Sequence, residues 1–444
     1  MTDRLIINAT LVNEGRRFEA DLRIRGGRIE RIDPNLTAMT GEKVFDAAGA
    51  WLLPGVIDDQ VHFREPGLEH KADIASESRA CLAGGITSFM EMPNTKPPAV
   101  SREAIEDKYR RGATSSRVNH AFYFGATNDN LDEIRAIDPA TVPGLKVFMG
   151  ASTGNMLVDD PAVLDAIFRD APVPIITHCE DTPTIVANEA KARERWGEDI
   201  PAAQHPLIRS REACIQSTRL AIELARRHDA RLHVLHISTA DELALFEPGP
   251  VAGKRITAET CVHFLHFCDE DYARLGHLIK CNPAIKTAGD RESIIAALAD
   301  TRIDVLATDH APHLLAEKNN PYPLAPSGLP LVQYALQCAL ERVFDGKLTL
   351  ERVVEAMSHA PATLFGVRER GYLREGFAAD LVIVDPNKPH TVTREEVLSK
   401  CGWSPFEGTT FRSSIVATFV NGLLGWHAGC LDDSVRGQRL AFAR

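Results

Sequence analysis

Apolar and polar residues alternate along the start of the chain, as in LIINATLV, ADLRIR, RIERID and KVFDA. This period of two, interrupted by the turn sequences NEG (13–15) and GG (26–27), predicts short antiparallel strands. The same pattern returns near the other end, in DLVIVDP (380–386) and SSIVATFVNGLL (413–424). Two strand-rich ends around a different middle indicate one small β-domain, a β-sandwich, built from both termini.

Short apolar runs and helical periodicity alternate through the middle of the chain. The strand candidates are GVID (55–58), ITSFMEM (86–92), HAFYFGA (120–126), LKVFMG (145–150), VPIITH (173–178), LHVLHI (232–237), ITAETCV (256–262) and DVLATD (304–309). Helical stretches such as CIQSTRLAIELARR (214–227) and RESIIAALA (291–299) lie between them, and Ser101 and Thr349 are candidate helix caps. The alternation predicts an α/β fold, a (β/α)₈ TIM barrel over 53–366, flanked by sandwich segments at 1–52 and 367–444. A doubly wound sheet is the alternative.

Composition narrows the class of protein. The 444 residues are 44% hydrophobic and 25% charged, as in ordinary globular proteins. A net charge of −11 argues against nucleic acid or an anionic membrane as the main partner. The chain has no long apolar run and no secretory signal pattern at its start, and its nine cysteines form no CxxC pair. We therefore expect a cytoplasmic protein with reduced thiols.

Chemically active side chains follow the predicted strands. In chain order they are His62, Glu91, Asn94, Lys146, His178, His236, Glu259, His263, Asp309, His310 and His313. Each alone has a structural explanation, such as a hydrogen-bonded histidine, a lysine reaching the surface or an aspartate capping a helix. A barrel brings the carboxyl ends of its strands into one ring, where imidazoles and a carboxylate form a ligand set that suits zinc. Burial there would favour the neutral, nucleophilic amine of Lys146.

Several segments resemble the amidohydrolase superfamily and, within it, the dihydroorotase family. They are DxxVHFREPG, MEMPNT (90–95), GLKVFMGASTG (144–154), THCED (177–181), HIST (236–239), ETCVHFL (259–265), NPAIK (282–286), TDHAPH (308–313), ADLVIVDP and SPFEG (404–408). The resemblance implies reversible interconversion of dihydroorotate and N-carbamoyl-aspartate in pyrimidine (UMP) biosynthesis. It implies attack of a metal-bound hydroxide on the ring amide.

The resemblance also implies roles for individual residues. Two zinc ions would be held by His62, Lys146, His178, His236 and Asp309, with a carboxylated Lys146 as the bridge. Asp309 would carry the proton as well. The substrate would be bound by Arg64, Asn94, Asn282 and His313, with Arg64 pairing with the ring carboxylate. The structural alternative for Arg64 is an ion pair with Glu65 or Glu69.

One position departs from the family pattern, which has His-x-His where this chain has Gln60-x-His62. Gln60 could bind metal weakly through its oxygen, a water could fill its place, or the first metal could be missing. Asp59 would point away from His62 on a strand. We expect metal binding to be retained, with a weakened first site, because the other positions carry the residue types that the family pattern asks for.

Other functions stay open. One is a cyclic-amide hydrolase of the hydantoinase, dihydropyrimidinase or allantoinase type, which does not need the carboxylate contacts of Arg64 and His313. Another is a catalytically silent homologue with a structural role, for example as a partner of an aspartate transcarbamoylase. The segment 314–330 is either an active-site loop or a plain surface connection. We expect a homodimer that acts on a small molecule.

Overall fold

The computed structural model describes residues 3–150 and 156–444. The end of the GLKVFMGASTG motif, residues 151–154, lies outside the described residues. The strands are β1 (Arg4–Asn13), β2 (Arg16–Arg25), β3 (Arg28–Asp33), β4 (Lys43–Asp46), β5 (Trp51–Pro54), β6 (Val56–Val61), β7 (Ile86–Glu91), β8 (Asn119–Phe122), β9 (Phe124–Gly125), β10 (Leu145–Phe148), β11 (Ile175–His178), β12 (Leu232–Val234), β13 (Ile256–Cys261), β14 (Val305–Ala307), β15 (Leu381–Asp385), β16 (His390–Thr391), β17 (Thr410–Phe411), β18 (Ser414–Val420), β19 (Leu423–His427) and β20 (Cys430–Leu431).

Helices fill most of the connections between the central strands. They are α1 (Ile74–Ala83), α2 (Arg102–Ser115), α3 (Leu131–Arg135), α4 (Pro161–Asp170), α5 (Thr182–Trp196), α6 (His205–Ile208), α7 (Arg211–His228), α8 (Val262–His266), α9 (Tyr272–Leu275), α10 (Ala288–Ala299), α11 (Leu315–Lys318), α12 (Ala335–Phe344), α13 (Leu350–Val354) and α14 (Ala360–Phe365). The predicted caps are present, because the side chains of Ser101 and Thr349 accept backbone N–H bonds at the starts of α2 and α13. Within the described ranges, none of the helices has the length and apolar character needed to cross a membrane.

Both ends of the chain contribute to one mixed sheet. Its hydrogen-bonded path runs β20-β19-β18-β15-β5-β1-β2-β3, and β4 pairs with β1. The two ends meet at β5, which pairs with β1 in parallel and with β15 in antiparallel orientation. Alternate side chains of these strands, among them Ile6, Leu22 and Leu381, form a separate apolar core. The prediction that strands from both termini assemble together is therefore confirmed at the level of one shared sheet.

Parallel strands make up the central part of the chain. β6, β7 and β8 pair in parallel, and so do β9 through β14 in chain order. Only Tyr123 separates β8 from β9, and a parallel bridge between Val61 and His310 links the start of this series to its end. The carboxyl ends of β6, β10 and β11 therefore face one shared space, as in folds of the TIM-barrel type.

A single glycine joins the terminal sheet to the first central strand. Gly55 lies between β5 and β6, and a Cβ atom there would come within 2.2 Å of the Thr87 hydroxyl. Any larger residue would push β6 away from β7. Because β6 carries Gln60 and leads directly into His62, this close packing helps to position the backbone from which both side chains extend.

Candidate active site

A small cleft opens where the central strands end. Its lining includes Gln60, His62, Arg64, Asn94, Lys146, Phe148, His178, His236, Asn282, Asp309, Ala311, Ser327 and Gly328. All five sequence-predicted metal ligands are therefore in one pocket, together with three of the four residues expected to bind substrate. They come from positions as far apart in the chain as 62 and 309, and the parallel strands with the loops that follow them bring them together.

His178 and His236 form one side of the pocket. His178 Nδ1 lies 3.0 Å from His236 Nε2, and the two rings meet edge to face. His178 Nε2 lies 3.0 Å from a carboxylate oxygen of Glu180, which is also paired with Arg209. Since that carboxylate can only accept, Nε2 carries the proton and Nδ1 presents a lone pair. A carboxylate that orients the far side of a ring is the usual support of a metal-binding histidine.

The charges around Glu180 keep its carboxylate ionised. Burial alone would raise the pKa of Glu180, but Arg209 and His178 together lower it to about 2. Burial also lowers the pKa values of His178 and His236. Both rings are therefore neutral at neutral pH, as ligands of a divalent ion must be.

His62, Gln60 and Asp309 form the opposite side. His62 Nδ1 lies 2.8 Å from the side-chain oxygen of Asn94, so it is the protonated nitrogen, and Nε2 lies 3.2 Å from Asp309 Oδ1. The amide nitrogen of Gln60 donates to the same Asp309 oxygen at 3.1 Å. The Gln60 oxygen lies 3.8 Å from the Cys261 thiol, away from Asp309. A carboxylate has no proton to give, and therefore Gln60 turns its N–H, not its oxygen, towards Asp309.

Lys146 lies between the two sides. It is 1% exposed, and its Nζ lies 4.7 Å from the centre of the Phe148 ring. Burial lowers its pKa to about 8, although the Asp309 and Glu259 carboxylates favour the ammonium form. A substantial fraction of this amine is neutral near physiological pH, which is the form that reacts with CO₂.

Arg64 forms the wall of the pocket. It is 4% exposed, its Nε donates to the carbonyl of Pro312, and one terminal nitrogen lies 3.0 Å from His313 Nε2. Among the described residues Arg64 forms no ion pair with Glu65 or Glu69, because Glu65 pairs with Arg111 and Glu69 accepts from the backbone N–H of Gly67. Burial lowers the pKa of Arg64 to about 10, which leaves it charged at neutral pH. His313 itself does not line the cleft but supports Arg64 from behind.

The segment 314–330 contributes to the pocket through Ser327 and Gly328. Gly328 has a φ of +144°, and a Cβ there would come within 2.4 Å of the Ala311 carbonyl. Non-glycine residues at three further pocket positions also have positive φ, namely Arg64 (71°), His236 (41°) and Asp309 (51°). Such backbone costs about 1–3 kcal/mol per residue and concentrates at functional sites.

Other strand-end residues lie elsewhere. Glu91 pairs with Lys108, and His310 Nε2 lies 2.7 Å from Glu77. Glu259 lies deeper than the pocket, beside His233. His263 is buried, and within the described part of the chain neither of its ring nitrogens has a hydrogen-bond partner. Sequence reasoning missed the support from Glu180, although it stands in the THCED motif, and nothing in the sequence marked Arg209.

The donor set fits divalent metal ions. His178 Nδ1 and His236 Nε2 face each other at a separation typical of two ligands of one ion, and so do His62 Nε2 and Asp309 Oδ1. The other ring nitrogen of His178 lies against Glu180 and that of His62 against Asn94, which fixes the tautomer of these two histidines.

Comparison with known proteins points in the same direction. Residues 51–424 match the model of the amidohydrolase family. Proteins named dihydroorotase are similar over most of the chain. The one from Halobacterium salinarum is 36% identical over 394 residues, which are 88% of this chain and 90% of that protein. The one from Solibacter usitatus is 36% identical over 417 residues, which are 92% and 94% of the two chains.

Solved structures give a complementary result. The L-hydantoinase (dihydropyrimidinase) from Arthrobacter aurescens superposes with a TM-score of 0.93 at 28% identity, over 99% of this chain and all of that one. The dihydropyrimidinase from Brevibacillus agri has a TM-score of 0.90 at 23% identity over the full length of both chains, a likeness of fold alone.

Proposed function

The chain belongs to the amidohydrolase family, and on this premise we propose that it interconverts dihydroorotate and N-carbamoyl-aspartate, the dihydroorotase reaction of pyrimidine (UMP) biosynthesis. The observation that carries the proposal is the charged Arg64 in the wall of a pocket that also holds His62, Lys146 and Asp309. Dihydroorotate combines a ring amide with a carboxylate. In this pocket Arg64 can pair with the carboxylate, and His62, Lys146 and Asp309 lie where the amide would react. The relatives named dihydroorotase support the same reaction.

Arg64 is placed to recognise the carboxylate. Its Nε donates to the carbonyl of Pro312, and one terminal nitrogen contacts His313 Nε2. These two contacts fix the orientation of the guanidinium before substrate enters. A fixed guanidinium binds a carboxylate with less loss of side-chain freedom than a mobile one. Asn282 Oδ1 is buried without a hydrogen-bond partner in the described chain, and it is suited to accept a bond from the ring.

Ring opening adds water across the amide: the carbonyl carbon gains an oxygen, the C–N bond breaks and the ring nitrogen gains a proton. Asp309 is the group that accepts the proton of the water and returns it to the nitrogen. Gln60 donates its side-chain N–H to one oxygen of Asp309, which orients the carboxylate for this transfer. Ring closure runs the same steps in reverse.

We propose zinc as the cofactor, two ions per chain, held by His62, Lys146, His178, His236 and Asp309, with a carboxylated Lys146 between them. When bound, the ions lower the pKa of a water molecule and polarise the amide carbonyl. The hydrogen bond from Gln60 to Asp309 favours Gln60 as a positioning residue over Gln60 as a ligand. The metal position beside His62 then binds its ion more weakly than the position beside His178 and His236.

The wider architecture is part of the proposal. The Val61–His310 bridge supports a closed eight-stranded barrel over 53–366, with sandwich segments at 1–52 and 367–444. Nine free cysteines, eight of them buried, support a reducing, cytoplasmic location. We also propose a homodimer, which sedimentation of the purified protein tests.

A hydantoinase or dihydropyrimidinase activity is the second candidate, favoured by the similarity to the L-hydantoinase. Values of kcat/KM for dihydroorotate, dihydrouracil and hydantoin with the same preparation distinguish the two. We expect dihydroorotate to be preferred by about 100-fold, because only it uses the buried Arg64 charge. Equal or better turnover of hydantoin would contradict the proposal, and turnover of none of the three would favour a silent homologue.

A further inference from the structure

A second cluster of acid–base side chains lies deeper among the central strands. Asp59 on β6, His233 on β12 and Glu259 on β13 are all 0% exposed, and none of them lines the pocket. His233 Nε2 lies 3.3 Å from Asp59 Oδ2 and 3.5 Å from Glu259 Oε2. One nitrogen and two carboxylate oxygens lie within 4.8 Å of one another.

The surroundings fix which atoms face the centre of this cluster. The hydroxyl of Thr257 donates to the Leu232 carbonyl, so it accepts from His233 Nδ1, which lies 2.8 Å away. His233 Nε2 is therefore the nitrogen directed at the carboxylates. Glu259 Oε1 accepts from the backbone N–H of His236 at 3.3 Å and lies 3.6 Å from the Cys261 thiol. This leaves Glu259 Oε2 directed at His233.

Within the described chain these inward-facing atoms have no partner outside the cluster. Among the described residues no well-formed hydrogen bond reaches either oxygen of Asp59, Oε2 of Glu259 or Nε2 of His233. Unpartnered carboxylate oxygens in a dry interior are costly, and such groups normally coordinate a metal or pair with a charge. An imidazolium has one N–H on this side and can satisfy only one of the two carboxylates, whereas a cation contacts one atom of each side chain.

We propose that Asp59, His233 and Glu259 form a buried binding site for a divalent cation, separate from the ions of the pocket. Two carboxylates and one imidazole balance the charge of such an ion, and the ligand types suit zinc or manganese. The Nδ1–H bond to Thr257 fixes the tautomer that a ligand needs. Because the cluster is closed to solvent, the ion enters as the chain folds and leaves slowly.

Protons are the competing way to neutralise the cluster. Burial alone would lower the pKa of His233, but the Asp59 and Glu259 carboxylates raise it to about 9. Burial and the neighbouring Asp59 charge raise the pKa of Glu259. A cluster neutralised by protons contains no metal ion, so the presence or absence of a bound ion distinguishes the two possibilities.

Anomalous diffraction from wild-type crystals grown with zinc, recorded on both sides of the zinc absorption edge, is the direct experiment. We expect a zinc peak between Asp59 Oδ2, His233 Nε2 and Glu259 Oε2. Mass-spectrometric metal analysis after dialysis against EDTA should find one more retained ion per chain in the wild type than in Asp59→Asn. Asp132→Asn, at an aspartate whose side chain is 98% exposed, is the matched control and should retain the wild-type amount.

The absence of a peak at the cluster overturns the inference, whatever the pocket contains, and equal retention in wild type and Asp59→Asn does the same. The wild-type diffraction result decides the matter even if Asp59→Asn fails to fold. Failure of the proposed function gives a different result, with a filled cluster and no ring-opening activity.

Discussion

On one side of the pocket His178 and His236 face each other through ring nitrogens, whereas on the other side the amide of Gln60 lies beside Asp309. The first side is arranged for metal binding, because Glu180 and Arg209 fix the tautomer of His178. The second side has one imidazole and one hydrogen-bond donor around a carboxylate. An imidazole can offer a lone pair to a metal, but an amide next to a carboxylate must offer its N–H.

This difference shows how one residue, Gln60, changes which side of the site is suited to metal binding and which to proton transfer. With Gln60, the His62 side is better suited to holding and moving a proton at Asp309 than to holding a metal tightly. Under the proposed function, the His178 side is then the stronger metal position.

Removing His178 should have the largest effect, because it removes a ligand from the complete side. We expect His178→Ala to lower kcat by roughly 1000-fold or more, since several kcal/mol of charge stabilisation depend on the bound ion. Metal content measured by mass spectrometry should fall in parallel. His427→Ala, at an exposed histidine on β19, is the control and should keep both quantities. Full metal content in the His178 variant would contradict the assignment of this side.

Arg64→Met should lower kcat/KM for dihydroorotate by about 100-fold, because the substrate carboxylate loses its charged partner. The metal content should not change, since Arg64 is not among the proposed ligands. Any turnover of dihydrouracil, which has no carboxylate, should be little affected. The control is Arg110→Met, at an arginine whose side chain is 73% exposed. Equal losses for both substrates would mean that Arg64 supports the pocket rather than selecting the carboxylate.

Gln60 distinguishes the two sides most sharply. Gln60→Leu removes the donor to Asp309 and should lower kcat about tenfold, with unchanged metal content. Gln60→His should instead increase resistance to metal removal by EDTA, because an imidazole supplies the missing ligand. Gln216→Leu, on the exposed face of α7, is the control for the first variant. Metal loss in Gln60→Leu would show that the amide is itself a ligand.

The smallest effect concerns pH and stability. Burial lowers the pKa of His263 to about 4, below its value near 6.5 in the unfolded chain. Stabilisation from its neutral form is complete above pH ~6.5 and is lost as the pH falls towards 4, because the unfolded chain binds the proton more tightly. Between pH 6.5 and 5 the loss from this residue is about 2 kcal/mol.

Urea unfolding of metal-free protein at the two pH values measures this loss. His263→Gln should be less sensitive to acid by that amount, and His427→Gln should behave as wild type. An acid sensitivity identical in all three proteins would show that His263 does not contribute.

The sequence predicted the elements whose patterns are local. Period-two alternation located the terminal strands, and the apolar runs located the central strands to within a few residues, although β12 and β14 proved shorter than expected. The strand ends also pointed to several residues that line the pocket, because parallel packing brings the carboxyl ends of the strands together: His62, Asn94, Lys146, His178, His236 and Asp309.

Contacts that depend on side-chain direction could not be predicted. His310 follows the same strand as Asp309 but turns to Glu77, and Arg209 reaches Glu180 across 29 positions. The role of Gln60 depends on where Asp309 lies, 249 positions away. The cluster of Asp59, His233 and Glu259 needs three strands in register, which no single motif records.

The most direct test is an anomalous-diffraction structure of the zinc-loaded protein with N-carbamoyl-aspartate bound. We predict a strong zinc peak between His178 Nδ1 and His236 Nε2, a weaker one beside His62, and a ligand carboxylate on the Arg64 guanidinium. Zinc absent from the His178 side, or a ligand carboxylate bound away from Arg64, would contradict the account.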